Sequence, residues 1–352
     1  MTRQKLPSWK QILSKSLTTV EALPRFFEID GAALQKVTDK YPMRINPYYL
    51  SLIKEKDDPI YKQCVPDVRE INEQKGTDDP LNEEGLSPVY GLTHRYPDRV
   101  LFLISSRCAV YCRFCNRKRK VGRPSMVTKK SIREGLAYIK EHKKIRDVLL
   151  SGGDPLLLED GNLHSILTEL RTIKHVEIIR IGTRVPCTLP QRVTHRLANI
   201  LKKFHPLYIH THFNHPDEIT PEATHACECL ADAGIPIGCQ IVLLQGINDD
   251  LMTMKNLVQK LLKIRVRPYY LFQADLTKGT SHFWTPLNRG LEIIAGLQGH
   301  TSGMCVPHFA VDLPGGGGKV PLLPKYIMGE DKKGLVIKNY LGHKYHYPLH
   351  EL

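Results

Sequence analysis

Three cysteines crowd into 105-SSRCAVYCRFCNRKRK-120: Cys108, Cys112 and Cys115, spaced C-x3-C-x2-C. Structural zinc usually takes four ligands in paired C-x2-4-C knuckles, and no second Cys or His pair at that spacing follows. Three thiolates in one tight loop instead suit three corners of an iron–sulfur cube, with the fourth iron open to a ligand. A second reactive candidate lies far downstream in 312-DLPGGGGKVPLLP-324, where four glycines precede Lys319 and Asp312 stands at their base. Glycines forgo packing and lose much conformational freedom on ordering, so the run needs a reason. It is no phosphate-cradling P-loop: Leu313 stands where that motif needs its first glycine, and Val320 replaces the magnesium-binding hydroxyl.

The elements that must position these groups follow from apolar patterning. Six short runs read as buried parallel strands: VLFLIS (100–105), DVLLS (147–151), VEIIRI (176–181), LYIHTH (207–212), GCQIVLL (238–244) and PYYLFQ (268–273). Helix-like segments separate them, such as 219–234 with a Thr-Pro start and a glycine end, and 250–264 with Asp250 as N-cap. Six βα units predict an α/β protein built as a partial (βα)6 TIM-like barrel; an open doubly wound sheet is the alternative. Residues 1–90 lack the rhythm and are expected to form a mostly helical N-terminal region. Residues 91–299 form the barrel core, and 300–352 a C-terminal arm carrying the glycines. Cys108, Gly152-Gly153-Asp154, Arg184, His212 and Asp275 each end or follow a predicted strand, so one rim of the barrel should gather them.

Composition narrows the class. The chain has 352 residues, 41% hydrophobic and 24% charged, enough for one large α/β domain or two smaller ones with a sizeable core. No apolar run reaches the length of a membrane span, and the charged N-terminus lacks the apolar stretch of a secretory signal, so a cytoplasmic location is expected. Nine cysteines, an odd number, argue against a disulfide framework. Cys64, Cys187, Cys227, Cys229, Cys239 and Cys305 read as small buried hydrophobes. The net charge of +14 is spread along the chain apart from 117-RKRK-120. It reads as solvated surface, with tRNA or an acidic protein as the minority alternative.

The cysteine spacing with Phe114 before the last cysteine resembles the radical S-adenosylmethionine (SAM) superfamily. HRYPDRV (94–100), VLLSGGDP, RIGTR, THFNHP, RPYYLFQAD and DLPGGGGK further resemble lysine 2,3-aminomutase over about residues 85–330. The resemblance implies an isomerase that interconverts L-α-lysine and β-lysine by a 5′-deoxyadenosyl radical. It implies three cofactors: a 4Fe–4S cluster on Cys108, Cys112 and Cys115, SAM, and pyridoxal 5′-phosphate (PLP) carried covalently by Lys319. Residue by residue, it implies Arg95, Tyr96 and Arg99 at the PLP phosphate and ring. Gly152, Gly153 and Asp154, with His212 and Gln240, would meet SAM. Arg117 would hold the substrate carboxylate, and Asp275 and Asp312 its ε-ammonium. The glycines would let Lys319 swing when substrate amine displaces it. The implied partners are a small amino acid, an electron donor such as flavodoxin or ferredoxin, and further copies of the chain in a homo-oligomer; nucleic acid and membrane are not expected.

The chain departs from the family pattern in two places. Asp250 stands where free-lysine members often carry a zinc-binding cysteine, and no cysteine follows Cys305, so no zinc is expected. The chain is also short, nearer the branch that works with bacterial translation elongation factor P, yet it keeps the aspartate and glycine segments. Free lysine is therefore the expected substrate; arginine, or lysine destined for the elongation factor, is the alternative. A catalytically silent cluster protein and an RNA-modifying radical enzyme are the readings from other classes.

Overall fold

The computed structural model describes residues 8–73 and 75–349. Residues 1–7, on which part of the no-signal reading rests, lie outside them. The sheet is nine-stranded, and its strands lie in chain order. These are β1 (Leu92–Tyr96), β2 (Arg99–Ser105), β3 (Asp147–Gly152), β4 (Ile178–Gly182), β5 (Leu207–Thr211), β6 (Ile237–Leu243), β7 (Arg267–Gln273), β8 (His308–Leu313) and β9 (Gly318–Pro321). From β2 to β8 every neighbouring pair is parallel, while β1 and β9 pair antiparallel at the two ends. A doubly wound sheet reverses its order part-way. The unbroken order decides for the partial barrel.

The six expected strands appear as β2–β7 with ends shifted by a residue or two. Unforeseen is β8, which takes a seventh parallel place on the sheet from within the stretch expected to be an arm. It has six residues, HFAVDL, as many as β3, and its place on the sheet is fixed by its pairing with β7. Beyond β9, β10 (Ile327–Asp331), β11 (Gly334–Lys338) and β12 (Lys344–Tyr347) stand apart as a small antiparallel sheet.

Helices cover the outer face because their apolar stripes match it. In Leu251–Lys263, Met254, Leu257, Val258 and Leu261 are buried at helical spacing, and the Asp250 carboxylate caps the first turn by accepting from Thr253 N at 2.9 Å. Pro221–Asp232 repeats the pattern with Ala223, Ala226, Cys227 and Leu230 behind a Thr220 cap. Helix Lys129–Glu141 packs closely enough that a Cβ on Gly135 would stand 2.3 Å from the Phe102 ring. Along β3 the buried Val148 and Leu150 alternate with half-buried Asp147, Leu149 and Ser151, so the latter face the barrel interior. β6 does the same, with half-buried Gly238, Gln240 and Val242.

Residues 8–73 form short helices and turns without a strand. They cradle the loop after β2: Tyr111 N donates to Arg44 O, and Arg113 N to Gln63 O. No helix among the described residues is long and apolar enough to cross a membrane.

Candidate active site

Cys108, Cys112 and Cys115 line one cavity with Tyr41, Val110 and Val121. No three His, Cys, Asp or Glu side chains among the described residues are gathered closely enough to hold a single metal ion. Burial pushes the Cys108 thiol well up, and burial with the neighbouring Cys112 pushes Cys115 to about 11. A bound metal would reverse this preference, because its positive charge favours thiolate. The other six cysteines are free and buried, as the sequence suggested.

The turn after β3 presses directly on the cysteine loop. Gly152 has φ +130°, and a Cβ there would lie 2.2 Å from Ser105 O; one on Gly153 would lie 2.4 Å from Arg107 O. Gly153 N and Asp154 N each donate at 2.6 Å to those carbonyls. The Asp154 carboxylate is turned inward, accepting from Thr183 Oγ1 at 2.6 Å and Arg184 N at 2.7 Å. It therefore ties β3 to the loop after β4. Arg184 is buried, and it donates to Cys112 Sγ, Gln63 Oε1 and Glu218 Oε1 at 2.6–2.7 Å. His212 sits edge-on to Phe114 and hydrogen-bonds Asn214 at 2.9 Å. Burial and the Arg184 charge push His212 down to about 3, which keeps it neutral. Gln240 reaches His210 on the adjacent β5 at 3.3 Å.

The glycine run is a hairpin turn joining β8 to β9, which corrects the picture of a loose tether. Gly315, Gly316 and Gly318 have φ of +70°, +90° and +87°, backbone that other residues rarely adopt. The turn sets Asp312 opposite Lys319 in register, and Lys319 Nζ lies 3.1 Å from Asp312 Oδ2. Tyr96 OH accepts from Lys319 N at 2.9 Å, and the Arg99 guanidinium stacks 4.0 Å from the Tyr96 ring centre. Arg95 donates to Asp312 at 3.4 Å and to Leu81 O at 2.6 Å, while its Nε is buried with no hydrogen-bond partner among the described residues. Lys319 also lines a cavity with Tyr270, His308, Ala310 and Pro321.

Between these two centres lie Arg117 and Asp275. Arg117 does not wait empty. Its Nε and Nη2 grip Glu83 at 2.5–3.0 Å, and its Nη1 lies 3.4 Å from Ser151 Oγ. Asp275 accepts from Asn116 Nδ2 at 2.8 Å. Burial first, then repulsion from Asp312, raises its carboxyl to about 6. One group of charges thus comprises Arg117, Glu83, Asp275, Asp312, Lys319 and Arg95.

Two family models match the sequence: the radical SAM superfamily over residues 102–258 and lysine-2,3-aminomutase over 294–351. An L-lysine 2,3-aminomutase of Methanococcus maripaludis is 53% identical, covering 95% of this chain and 79% of its own. One of Clostridium subterminale is 49% identical, at 95% and 82% coverage. The chain belongs to the lysine 2,3-aminomutase family. A glutamate 2,3-aminomutase of Clostridioides difficile is also similar, 44% identical over 97% of this chain and 82% of its own.

Membership in this radical SAM family brings an iron–sulfur cluster, SAM and PLP. The residues present fit them. The cavity ringed by three thiols suits the cluster. The orphaned Nε of Arg95 and the cavity beside Lys319 suit an anionic, ring-bearing cofactor at the hairpin. Sequence reasoning missed Glu83, Asn116 and the partners of Arg184. For Glu83 a signal existed: the acidic stretch 76-GTDDPLNEEG-85 has the charge opposite to 117-RKRK-120.

Proposed function

We propose that this protein is an isomerase interconverting L-α-lysine and β-lysine. The observation that carries this reading is the Asp312–Lys319 pair, in which a buried carboxylate holds a primary ammonium. A lysine substrate carries the same group at its far end. When bound, the cluster with SAM supplies a 5′-deoxyadenosyl radical for hydrogen removal and return, and PLP supplies the carbonyl that takes up the migrating nitrogen.

In this reading Cys108, Cys112 and Cys115 hold three irons, and Gly152, Gly153 and Asp154 with His212 and Gln240 border SAM. Arg95, Tyr96 and Arg99 hold the PLP phosphate and ring, and Lys319 is the attachment point. When Lys319 leaves Asp312, that carboxylate keeps only Arg95 and is ready for a second ammonium. Asp275 gives up its proton as the ammonium arrives, because an opposite charge favours the ionised form. Arg117 holds the α-carboxylate at the other end. A distal carboxylate, as in glutamate, would be buried beside two acids and is disfavoured.

We further infer a cytoplasmic enzyme, reduced by a donor such as flavodoxin or ferredoxin and assembled as a homo-oligomer. The nine free cysteines support a reducing compartment. Exposed Ile327, Met328, Tyr345 and Tyr347 on the small sheet support a contact between copies. The test is anaerobic turnover after reconstitution with iron, sulfide and PLP, with SAM and a reductant added. Wild type should form β-lysine from L-lysine, and Cys112→Ala and Lys319→Ala should not. Release of 5′-deoxyadenosine without β-lysine would overturn lysine as substrate and direct the assay to arginine and elongation factor P.

A further inference from the structure

The substrate-carboxylate arginine of the reading above already carries a carboxylate, and that contact leaves the other edge of the guanidinium without an ionic partner, with one long hydrogen bond to Ser151 Oγ. Glu83 takes the Nε–Nη2 edge of Arg117 with both oxygens, at 2.5–3.0 Å. The pair is nearly dry, with Arg117 15% and Glu83 8% exposed at the side chain. Burial alone would raise the Glu83 carboxyl; the Arg117 charge and hydrogen bonds outweigh this and hold it below the usual range, so it is ionised. A guanidinium has five N–H donors in a rigid fork, and a second two-pronged edge, Nη1 with the outer hydrogen of Nη2, remains. Nη1 is 3.4 Å from Ser151 Oγ, on the interior face of β3. This second edge, held only by that long bond to Ser151, therefore looks into the barrel.

Glu83 is itself fixed. Asp79 accepts from the backbone N–H groups of Glu83 and Glu84 at 3.0 and 2.9 Å, closing the turn. Arg119 ties that turn down through Asp79 and Glu84, and Lys120 through Glu84. On the far side Leu81 O accepts from Arg95, and Pro80 O accepts from Gly315 N at 2.9 Å. The segment 78–85 is thus a strap between the cysteine loop and the lysine hairpin, with Glu83 at its inner point.

We propose that Glu83 is a positioning and specificity-determining residue: by holding one edge of Arg117, it presents the other edge to the substrate's α-carboxylate. This rests on the aminomutase reading. An unsupported arginine would rotate among rotamers or turn toward Asp275, whose charge is also close to it. With Glu83 in place the guanidinium has one orientation, and only a substrate whose carboxylate meets the free edge is held. The competing arrangement has the substrate carboxylate displace Glu83, and it predicts the opposite sign when Glu83 is neutralised.

The experiment is calorimetric binding of L-lysine and of 1,5-diaminopentane, which lacks the carboxylate, to reconstituted wild type, Glu83→Gln and Glu83→Asp. Glu83→Gln should weaken L-lysine by about tenfold or more, the scale of a lost charge-assisted hydrogen bond, and leave 1,5-diaminopentane within about twofold. Glu83→Asp keeps the charge and should lose less. Equal weakening of both ligands would make Glu83 a structural residue, and tighter L-lysine in Glu83→Gln would make it a displaced gate; either overturns the proposal. Unchanged L-lysine affinity in both variants overturns it as well and leaves the aminomutase reading standing. Wild type that binds no L-lysine overturns both readings.

Discussion

Asp275 is half-buried with the Asp312 charge near it, and its carboxyl is raised to about 6. The sign follows from comparing states. The folded group binds its proton more tightly than an unfolded aspartate, so its ionisation costs stability as pH rises through the window from the ordinary carboxylate range to about 6. An incoming ammonium reverses this, since it favours the ionised carboxylate. We expect kcat/KM for lysine to climb with pH through about 6 and then level, read from a pH–rate profile. Asp275→Asn should abolish most of the activity and yet stabilise the ligand-free protein at pH 7 by ~1–3 kcal/mol, seen by denaturant titration. A variant less stable than wild type would mean the acid is paired in the resting protein.

The strand-end turns are the elements on which the site depends. Gly152 has both a positive φ and no room for a methyl, with Ser105 O at 2.2 Å and Ser105 N at 3.1 Å from a built Cβ. Gly152→Ala must push the end of β3 away from the end of β2, and the cysteine loop begins immediately after. Reconstituted iron content should fall by more than half, in line with the sensitivity of sites to displacements near 1 Å, while far-ultraviolet circular dichroism stays near wild type. Full iron loading in that variant would mean the loop holds the cluster without this contact. The hairpin works by the same logic: its positive-φ glycines fold back in a tight turn, and that turn puts Lys319 across from Asp312.

At the scale of the whole molecule, the helical N-terminal region and the barrel are clasped by Glu70. Its carboxylate takes Arg113 at 2.5 Å and Lys118 at 2.8 Å, and all three are buried. Burial pushes the Lys118 ammonium down to about 8, partly offset by Glu70. Glu70→Gln would leave two buried cations short of a countercharge, and we expect a loss of about 3–5 kcal/mol in unfolding free energy. A loss below ~1 kcal/mol would show that the clasp is not what joins the two regions. The clasp also bears on the basic run. Arg117 pairs with Glu83, Lys118 with Glu70, Arg119 with Asp79 and Glu84, and Lys120 with Glu84. A run that read as solvated surface is instead turned inward and paired within the chain.

What the sequence determined alone was everything set by local spacing. Apolar runs of strand length placed β2 to β7 within a residue or two. The three-cysteine loop, the Gly-Gly-Asp turn and the glycines before Lys319 could be read because each packs its chemistry into a few consecutive residues. The tertiary structure decided the rest, because it depends on pairs far apart in the chain. Glu83 and Arg117 are 34 residues apart, and Arg113 and Glu70 are 43 apart. No periodicity links an acid in one loop to an arginine in another; only the folded barrel brings them within hydrogen-bond reach. The same holds for β8, whose place as a seventh parallel strand is decided by its pairing with β7. Local pattern names the groups that can do chemistry, and burial among distant partners decides which are charged, which are held and which face the substrate.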